Sequence, residues 1–299
     1  MLDTKELEVI AFLNRQQESS SKEIHEGLSS TMGYATVKRI LTKLVAQNLI
    51  TIKGQRKSTK YQISAAYELL ESIDLDEYYE KEIDEREIKE TFNFQLITDV
   101  LSRHNLFTEN ELAKLNGLQN TYKNNISHLS ETAYKKELER LAIDFIVENP
   151  DYLVPLSVSK IEDIHSLLIK ELEIDRNVRT RRVGISGTNY RPLDNQFQIS
   201  DALSNMCELV NTKENVFEKT LLTLVLISYI QPFMDGNKRT ARIVSNAILI
   251  KNNYCPISFR TVNSIEYKKA MLLFYERNNI SRFKEIFIQQ FEFAVNTYF

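Results

Sequence analysis

Helix-breaking residues and cysteines are scarce in this chain of 299 residues. It contains 7 glycines, 5 prolines, 2 cysteines and no tryptophan. Few glycines and prolines favour a mostly helical protein, because both residues interrupt helices. Cys207 and Cys255 are too few for a disulfide scaffold and are consistent with a reducing compartment. We therefore predict a mainly α-helical, cytoplasmic protein.

Membrane spans, a secretory leader and zinc-ligand spacing are also missing. The most apolar run, LLTLVLISYI at 221–230, is about half as long as a membrane span and predicts a buried helix instead. No basic and then apolar leader begins the chain. The histidines His25, His104, His128 and His165 do not have the spacing of a zinc site. We expect neither membrane insertion nor zinc binding.

Residues 1–65 differ in charge from the whole chain. They carry ten Lys and Arg against six Asp and Glu, a local charge of +4, whereas the whole chain has a net charge of −3. Three segments with helical periodicity precede residues 49–64, which alternate and bend at Gly54 as a β-hairpin does. Three helices followed by a basic hairpin predict a winged helix-turn-helix domain.

Two functions stay open for this domain. In the first, the third helix enters the major groove of DNA and the basic wing meets phosphates. A dimer would then be needed for specific affinity, because one small module makes few base contacts. In the second, the domain is only a packing or dimerisation module. The first function assigns DNA contact to Tyr34, Lys38, Lys43, Lys53, Arg56, Lys57 and Lys60.

An acidic segment follows the basic domain. Residues 71–90 hold ten acidic residues against three basic ones. We predict a solvated, partly helical connector over 66–98 that spaces two domains, and the alternative is that it screens the basic domain. Helical patterns continue nearly throughout 99–299, which predicts a helical domain. The exception, 180–195, alternates before Gly187 and predicts an exposed β-hairpin.

The segment 231–242, QPFMDGNKRTAR, groups charged residues at a predicted helix start. The backbone can turn sharply at Gly236, and a new helix is predicted to begin near Asn237. The free N–H groups and the positive dipole end of a helix start form a ready anion site. Arg239 and Arg242 lie one helical turn apart and add full charges beside it.

Asp235 does not suit a site that binds phosphate alone. A carboxylate beside a polyphosphate is useful when it holds Mg²⁺, which prefers oxygen ligands and takes few of them from the protein. The combination indicates a nucleoside triphosphate bound with its metal. The alternative is a polar loop with a charged first turn, in which Asp235 pairs with Arg239.

The same string resembles the signature of the Fic family, HPFx[D/E]GN[G/K]RxxR, and departs from its fixed positions only at Gln231. The segment TRRVGISGTNYRPLDN, 180–195, is similar to the flap hairpin of that family, and SVSKIEDIHSLLIKEL, 157–172, resembles the helix before it. The resemblance covers about residues 150–290. It implies an all-helical core with a small β-hairpin flap. It also implies transfer of AMP from Mg-ATP to a Ser, Thr or Tyr hydroxyl of a protein target, with pyrophosphate leaving.

The resemblance further implies a role for each matching residue. Asp235 would hold Mg²⁺ against the α- and β-phosphates, Arg239 would bind the β-phosphate and Arg242 the γ-phosphate. The full set that would bind ATP is Gly236, Asn237, Lys238, Arg239 and Arg242. The flap would hold an extended target segment by strand addition. Its residues are Gly184, Ile185, Ser186, Gly187, Thr188, Asn189 and Tyr190.

Gln231 stands where the family has its catalytic histidine. A neutral imidazole can accept the proton of the target hydroxyl, whereas a glutamine amide can only orient that hydroxyl. Losing a general base typically lowers a rate by ~10²–10⁴-fold. Three outcomes stay open: a slow transferase, a transferase that borrows a base from its target, and a nucleotide-sensing DNA-binding regulator without catalysis.

An inhibitory motif of many relatives, [S/T]xxxE[G/N], has no match in the chain. The nearest segment is DFIVEN, 144–149, which we interpret as an ordinary helix end. Arg242 is therefore expected to be free of such a restraint, or to be restrained by another subunit or chain. His165 is interpreted as a structural residue rather than a displaced base.

Overall fold

A computed structural model describes residues 3–28, 32–170 and 176–299, with the exception of the side chain of Lys57. Contacts between α-carbons divide the chain into two compact units, Met1–Glu71 and Ser72–Phe299. The division drawn from the sequence, with domains at 1–65 and 99–299, stays a prediction. None of the described helices is both long enough and apolar enough to cross a bilayer.

The first unit has the order of elements of a winged helix. Its strands form one antiparallel sheet in the order β1–β3–β2, in which Ile52 lies opposite Tyr61. The prediction of three helices and a hairpin wing is confirmed. The elements are α1 Thr4–Gln16, β1 Glu18–Ser19, α2 Ser21–Gly27, α3 Tyr34–Ala46, β2 Ile50–Lys53, β3 Lys60–Ile63 and α4 Ala65–Leu70.

Local sequence explains why these helices begin where they do. Asp3 caps α1, and the side chain of Glu6 bonds back to the cap backbone. Ser20 and Glu23 form the same reciprocal pair at α2. Such capping boxes satisfy N–H groups that a helix start otherwise leaves without partners. The apolar faces of the three helices then meet in one core around residues such as Val37.

The second unit is helical. Its elements are α5 Leu75–Glu80, a π-helix Leu96–Val100, α6 Leu101–Arg103, α7 Glu109–Ile126, α8 Glu131–Leu141, α9 Asp144–Glu148, α10 Val158–Leu168, α11 Gln196–Thr212, α12 Val216–Ile230, α13 Asn237–Lys251, α14 Ser264–Arg277 and α15 Ser281–Tyr298. The mainly α fold class is confirmed.

Helix α12 is the central helix of this unit. It is apolar on all sides, and its residues from Phe217 to Ile230 are buried apart from Lys219. A helix that is apolar all round is stable only when other elements surround it. Helices α11, α13 and α14 pack against it. The loop between α12 and α13, which contains the 231–236 part of the charged segment, is therefore fixed at both ends.

The β-hairpin predicted for residues 180–195 is not formed within the described part of the chain. Gly187 has a left-handed φ of 96°, so the turn is present, but no paired strands flank it. The backbone bonds outward instead: Arg191 N–H donates to the carbonyl of Glu90 at 2.8 Å. An isolated parallel bridge joins Thr91 to Arg191.

The prediction of a solvated connector is wrong for the part of the acidic segment that follows residue 72. Helix α5 buries Leu75 and Tyr78 against Leu273 of α14. The hydroxyl of Tyr79 donates to the carbonyl of Lys269 at 2.8 Å. The expected helical character is observed in α5, whose apolar residues recur at helical spacing, so one face is buried while the acidic residues stay outside.

Candidate functional site

The loop between α12 and α13 makes two left-handed turns. Gln231 ends α12 with φ 51° and ψ 57°, and Gly236 precedes α13 with φ 80° and ψ 0°. No side chain caps the start of α13, so the N–H groups of its first turn keep their capacity to bind an anion. The Asp235 carboxylate accepts a hydrogen bond from the Gly236 N–H at 2.6 Å, one residue before α13. The predicted helix start at Asn237 is observed.

Asn237 holds the loop together from inside. Its amide nitrogen donates to the carbonyl of Phe233 at 2.8 Å and to the side-chain oxygen of Gln231 at 3.0 Å. Its amide oxygen accepts from the N–H of Phe233 at 2.9 Å. The side chain is buried. Asn237 is therefore placed to shape the loop, and a phosphate would meet its backbone rather than its side chain.

Both polar ends of the Gln231 side chain are engaged within the protein. The amide nitrogen donates to the carbonyl of Ser228 at 2.6 Å and lies 3.4 Å from the hydroxyl of Tyr275. The amide oxygen accepts from Asn237. Burial raises the pKa of the Tyr275 hydroxyl well above its ordinary value, so this phenol is no base near neutral pH. The position of the family histidine thus holds no group that accepts a proton.

Arg179 supports the loop from behind, a role that the sequence does not indicate. Its side chain is fully buried, and it donates to the carbonyls of Gln231, Arg181 and Leu193 at 2.6, 2.8 and 2.5 Å. Its own N–H donates to the carbonyl of Pro232 at 2.9 Å. One guanidinium therefore satisfies carbonyls of two loops that are far apart in the sequence, and burial lowers the pKa of Arg179.

His165 of α10 supports the loop on the other side. Its ring stacks on Phe233 with centroids 3.7 Å apart and an interplanar angle of 5°. Its Nδ1 lies 3.2 Å from the hydroxyl of Thr240. A Cβ added to Gly236 would come within 3.1 Å of the imidazole. These contacts agree with the interpretation of His165 as structural.

The cationic groups of Lys238 and Arg242 on α13 both lie near the ring of Tyr267. The guanidinium of Arg242 lies 4.9 Å from the ring centroids of Phe259 and Tyr267, and its Nε is buried without a hydrogen-bond partner among the described residues. Burial, and then the nearby charges of Arg242 and Lys268, lower the pKa of Lys238. An anion placed here would relieve both the missing hydrogen bond and the repulsion between cations.

Arg239 and Arg242 line an open pocket with two arginines that the sequence did not single out. Its volume is about 550 Å³, open solvent included. Arg140 comes from the end of α8, and Arg260, from the segment after α13, donates to the carbonyl of Arg140 at 3.3 Å. Aspartate and glutamate are absent from the described lining, which is Arg140, Leu141, Leu168, Arg239, Arg242, Ile243, Asn246, Ile257, Ser258, Phe259 and Arg260. Such a pocket favours a polyanion with an apolar part.

Asp235 is exposed beside this site. Within the described ranges, no group of three or more His, Cys, Asp or Glu residues could hold a metal by itself. A single carboxylate suits Mg²⁺, which usually takes one or two carboxylates and completes its shell with water and substrate phosphates. The residues present fit a metal that arrives with a nucleotide, and they do not fit a permanent metal centre.

The segment 144–149 does not restrain Arg242. The carboxylate of Glu148 lies 3.9 Å from the ammonium of Lys135 and is 61 % exposed. Asp144 begins the short helix α9. The interpretation of this segment as an ordinary helix end agrees with these contacts.

The predicted target-docking residues 184–190 do not share one environment. Gly184, Ser186, Gly187 and Asn189 are exposed, whereas Ile185 and Thr188 are half-buried. Tyr190 is 2 % exposed and stacks on the rings of Tyr229 and Tyr275 at 5.3 and 5.5 Å. Its side chain belongs to the core, so a docking role for the Tyr190 ring does not fit the structure. The sequence could not reveal this, because the two partner rings come from α12 and α14.

The DNA-contact candidates on α3 are only partly available. Tyr34 is 41 % exposed, and the ammonium of Lys38 lies 5.0 Å from its ring centroid. Lys43 forms an ion pair with Glu6, whose side chain is buried. Lys38 and Tyr34 therefore remain on the outer face of the helix, while Lys43 is engaged within the domain.

The candidates on the wing divide in the same way. Glu18 of β1 pairs with Lys53 at 3.0 Å and with Lys60 at 3.2 Å. Arg56 is exposed, and no ion pair of its guanidinium occurs among the described residues. The side chain of Lys57 lies outside what the structure describes. Two of the predicted wing contacts are thus engaged in holding the sheet together.

Comparison with protein families finds two matches in the chain. Residues 155–249 match the model of the Fic/DOC family, and residues 2–118 match the model of the penicillinase repressor family.

Solved structures with similar folds include Fic-1 from C. elegans, at a TM-score of 0.48 and 13 % identity, which covers 63 % of this chain and 71 % of that one. A Fic domain containing signaling protein from Bacteroides thetaiotaomicron has a TM-score of 0.48 and 14 % identity over 62 % of this chain and 95 % of that one. A variant of IbpAFic2 in complex with adenylylated Cdc42 has a TM-score of 0.39 and 16 % identity, over 96 % and 86 % of the two chains.

Proposed function

We propose, from the premise that residues 155–249 form a Fic/DOC domain, that this protein binds Mg-ATP at the 231–242 loop and slowly transfers AMP to a protein hydroxyl. The acceptor would be a Ser, Thr or Tyr side chain of a protein target. The observation that carries the proposal is the uncapped start of α13 beside a pocket whose described lining holds four arginines and no carboxylate.

The phosphates would bind along the loop toward this pocket. The backbone N–H groups of 236–238 lie at the start of α13, where the helix dipole favours an anion. Arg239 would bind the β-phosphate and Arg242 the γ-phosphate, with the unpaired Nε of Arg242 as one further donor. Arg140 and Arg260 would add positive charge at the far end of the pocket.

Asp235 would hold Mg²⁺, and the metal when bound would neutralise charge on the phosphates. The Asp235 carboxylate already accepts the Gly236 N–H, which orients it from within the loop. Its remaining lone pairs can face a metal, because an ionised carboxylate has two oxygens with about four acceptor sites.

The transfer step lacks its usual proton acceptor. The target hydroxyl oxygen forms a bond to the α-phosphorus, the bond from that phosphorus to the bridging oxygen breaks, and pyrophosphate leaves. The hydroxyl proton must then go to water or to a basic group that the target supplies, because the Gln231 amide is engaged with Ser228 and Asn237. Catalysis would rely on positioning and charge, and we expect it to be ~10²–10⁴-fold slower than with a general base.

A paired measurement tests this proposal. Calorimetry with ATP and Mg²⁺ measures binding, and labelled ATP measures transfer to proteins of a lysate or to the chain itself. We expect binding in the parent protein and in Gln231→His, with transfer raised by ~10²-fold or more in Gln231→His because an imidazole can accept the proton. An Arg242→Ala variant is the control, since it should weaken binding and leave the 231 position unchanged.

Three other results would contradict all or part of the proposal. Binding without transfer even in Gln231→His would favour a nucleotide sensor. No binding of Mg-ATP at millimolar concentration would refute the site. Equal transfer in the parent and in Gln231→His would refute the assigned role of position 231.

A second candidate function is a nucleotide-responsive DNA-binding regulator. The match of residues 2–118 to the penicillinase repressor family and the exposed basic residues Lys38 and Arg56 favour it. In this function the Fic/DOC domain would sense a nucleotide instead of using it. DNA affinity measured with and without Mg-ATP separates the two: a change of several-fold supports the regulator, and no change supports the transferase alone.

A further inference from the structure

The loop at 184–191 is covered by a piece of the chain's own acidic segment, residues 82–91. The Asn189 side chain donates to the carboxylate of Asp84 at 3.0 Å. The Arg191 guanidinium pairs with the carboxylate of Glu90. The Arg191 N–H donates to the Glu90 carbonyl at 2.8 Å. Both the side chains and the main chain of the loop therefore bond to an acidic partner, which forms a 3₁₀ helix over Ile83–Glu85.

A buried ion pair fixes this acidic segment to the helical core. Arg86 pairs with Glu276 of α14 at 3.1 Å, with side-chain exposures of 4 % and 0 %. The Tyr78 hydroxyl donates to the same carboxylate at 2.8 Å. Arg86 also donates to the carbonyl of Gly187 at 3.1 Å. The segment is anchored at its middle, and its ends reach along the loop.

The two surfaces are complementary in charge. The loop segment 180–195 contains three arginines and one aspartate, of which Arg182 pairs with Asp194 at 2.8 Å. Residues 82–91 contain five acidic residues and two basic ones. Charge complementarity of this kind selects partners and aligns them, more than it adds affinity. The carboxylates of Asp84 and Glu90 are the acidic groups that contact this loop.

We propose that residues 82–91 cover the loop at 184–191 until an acidic segment of the protein target displaces them. The inference rests on the proposed function for the identity of the partner as a modified protein. It adds the chemical class of the partner and a contact that competes with it.

The contacts at the ends of the segment are weak enough to exchange. The Arg191–Glu90 pair has side-chain exposures of 75 % and 54 %, and exposed pairs of this kind add little stability. The segment competes well because it is tethered, which gives it a high effective concentration. Arg86 can keep its buried pair with Glu276 while the ends of the segment are replaced.

A double variant, Asp84→Ala with Glu90→Ala, weakens the covering segment without touching the buried pair. Asp76→Ala is the matched control, because Asp76 lies in the same acidic stretch and its exposed carboxylate pairs with Lys269 at 2.7 Å, away from the loop. The first readout is amide hydrogen exchange of residues 184–191 in the full chain. We expect exchange about tenfold faster in the double variant than in the parent or in Asp76→Ala.

The second readout is binding of a labelled peptide with the sequence of residues 80–91, EKEIDEREIKET. We expect the double variant to bind it about tenfold more tightly than the parent or Asp76→Ala, because the competing segment is weakened. The same peptide with Asp84→Asn and Glu90→Gln should bind none of the three proteins measurably. Equal exchange and equal peptide affinity in the double variant and the control would overturn the inference. Neither readout uses a nucleotide, so this failure is distinct from a failure of Mg-ATP binding or transfer.

Discussion

At the scale of single residues, Gly236 carries the clearest constraint in the loop. Its φ of 80° lies in the left-handed region, which disfavours a side chain by about 1–2 kcal/mol. A Cβ there would also lie 3.1 Å from the His165 ring, and that ring is held between Phe233 and Thr240. The left-handed backbone and the close imidazole both disfavour a side chain at position 236, because neither the backbone nor the imidazole can move freely.

The substitution Gly236→Ala is therefore expected to lower the free energy of unfolding by about 1–3 kcal/mol. Urea unfolding of the full chain measures it. Gly117→Ala is the control, because Gly117 lies inside α7 with open space around it. That change should stabilise the helix by about 0.5–1 kcal/mol. Equal midpoints for the two variants would contradict the constraint at Gly236.

Some residues of the candidate site could be predicted from the sequence and others could not. Asn237, Arg239 and Arg242 were identified because the start of a helix after a glycine turn is a local pattern. Arg140 and Arg260 were not identified, because they reach the pocket from α8 and from the segment after α13. Nothing near either arginine in the sequence indicates that a third and fourth guanidinium meet Arg242.

At the scale of elements, a single carboxylate ties the wing to the strand before α2. Glu18 of β1 accepts from Lys53 of β2 and from Lys60 of β3. Hydrogen bonds from Lys53 and then Lys60 lower the pKa of the Glu18 carboxyl below its ordinary value. Its contribution to stability is present above the unfolded-state pKa of about 4.3 and is lost as the pH falls through the lower folded-state pKa.

We therefore expect the first unit to become less stable between pH 5 and pH 3, by a larger amount in the parent than in Glu18→Gln. Urea unfolding of the full chain at both pH values, followed by hydrogen exchange in β2 and β3, measures the difference. Glu26→Gln is the matched control, since Glu26 lies on α2 and its contact with Lys22, at 3.6 Å, is exposed. A pH dependence that Glu18→Gln leaves unchanged would show that the pairs with Lys53 and Lys60 do not stabilise the sheet.

Contacts between elements also explain why the flap hairpin predicted for residues 180–195 is not formed. A hairpin satisfies its main-chain groups internally, but at 180–195 those groups face outward to Arg86 and Glu90. Tyr190 is drawn into the stack with Tyr229 and Tyr275, which fixes one side of the turn. The alternating pattern before Gly187 was real, and packing against other elements overrode it.

At the scale of the whole molecule, charge is distributed unevenly between the two units. Residues 1–65 carry a charge of +4, whereas the chain as a whole has −3. A long polyanion such as duplex DNA would therefore be attracted mainly to the first unit. Within it, Lys43, Lys53 and Lys60 are engaged in ion pairs, so Lys38 and Arg56 are the best candidates for phosphate contact.

We expect binding of the full chain to duplex DNA to weaken steeply as salt rises, because phosphate contacts release counterions. Lys38→Gln and Arg56→Gln should each reduce the slope of log K against log salt by about 1, without changing sequence preference. Lys135→Gln, in the second unit, removes the same charge and should leave the slope unchanged. A slope that neither Lys38→Gln nor Arg56→Gln alters would favour the packing or dimerisation role of this domain.

The sequence by itself determined the elements and the position of the helix start at which we propose an anion site. Capping residues, helical periodicity and glycine turns act over a few residues, so the winged helix, the buried α12 and the start of α13 could be read along the chain. The departure at Gln231 was visible for the same reason. These features depend on neighbours that are fixed by the covalent chain.

Only the tertiary structure decided which distant groups meet. Tyr78 and Glu276 are 198 positions apart, and Arg86 and Gly187 are 101 apart, yet these contacts turn an apparent spacer into a cover for the loop. Arg179 likewise joins two loops through carbonyls 52 and 14 positions away. Such contacts form because buried charges and carbonyls must find partners wherever the fold brings them together, and no local pattern encodes which partner that is.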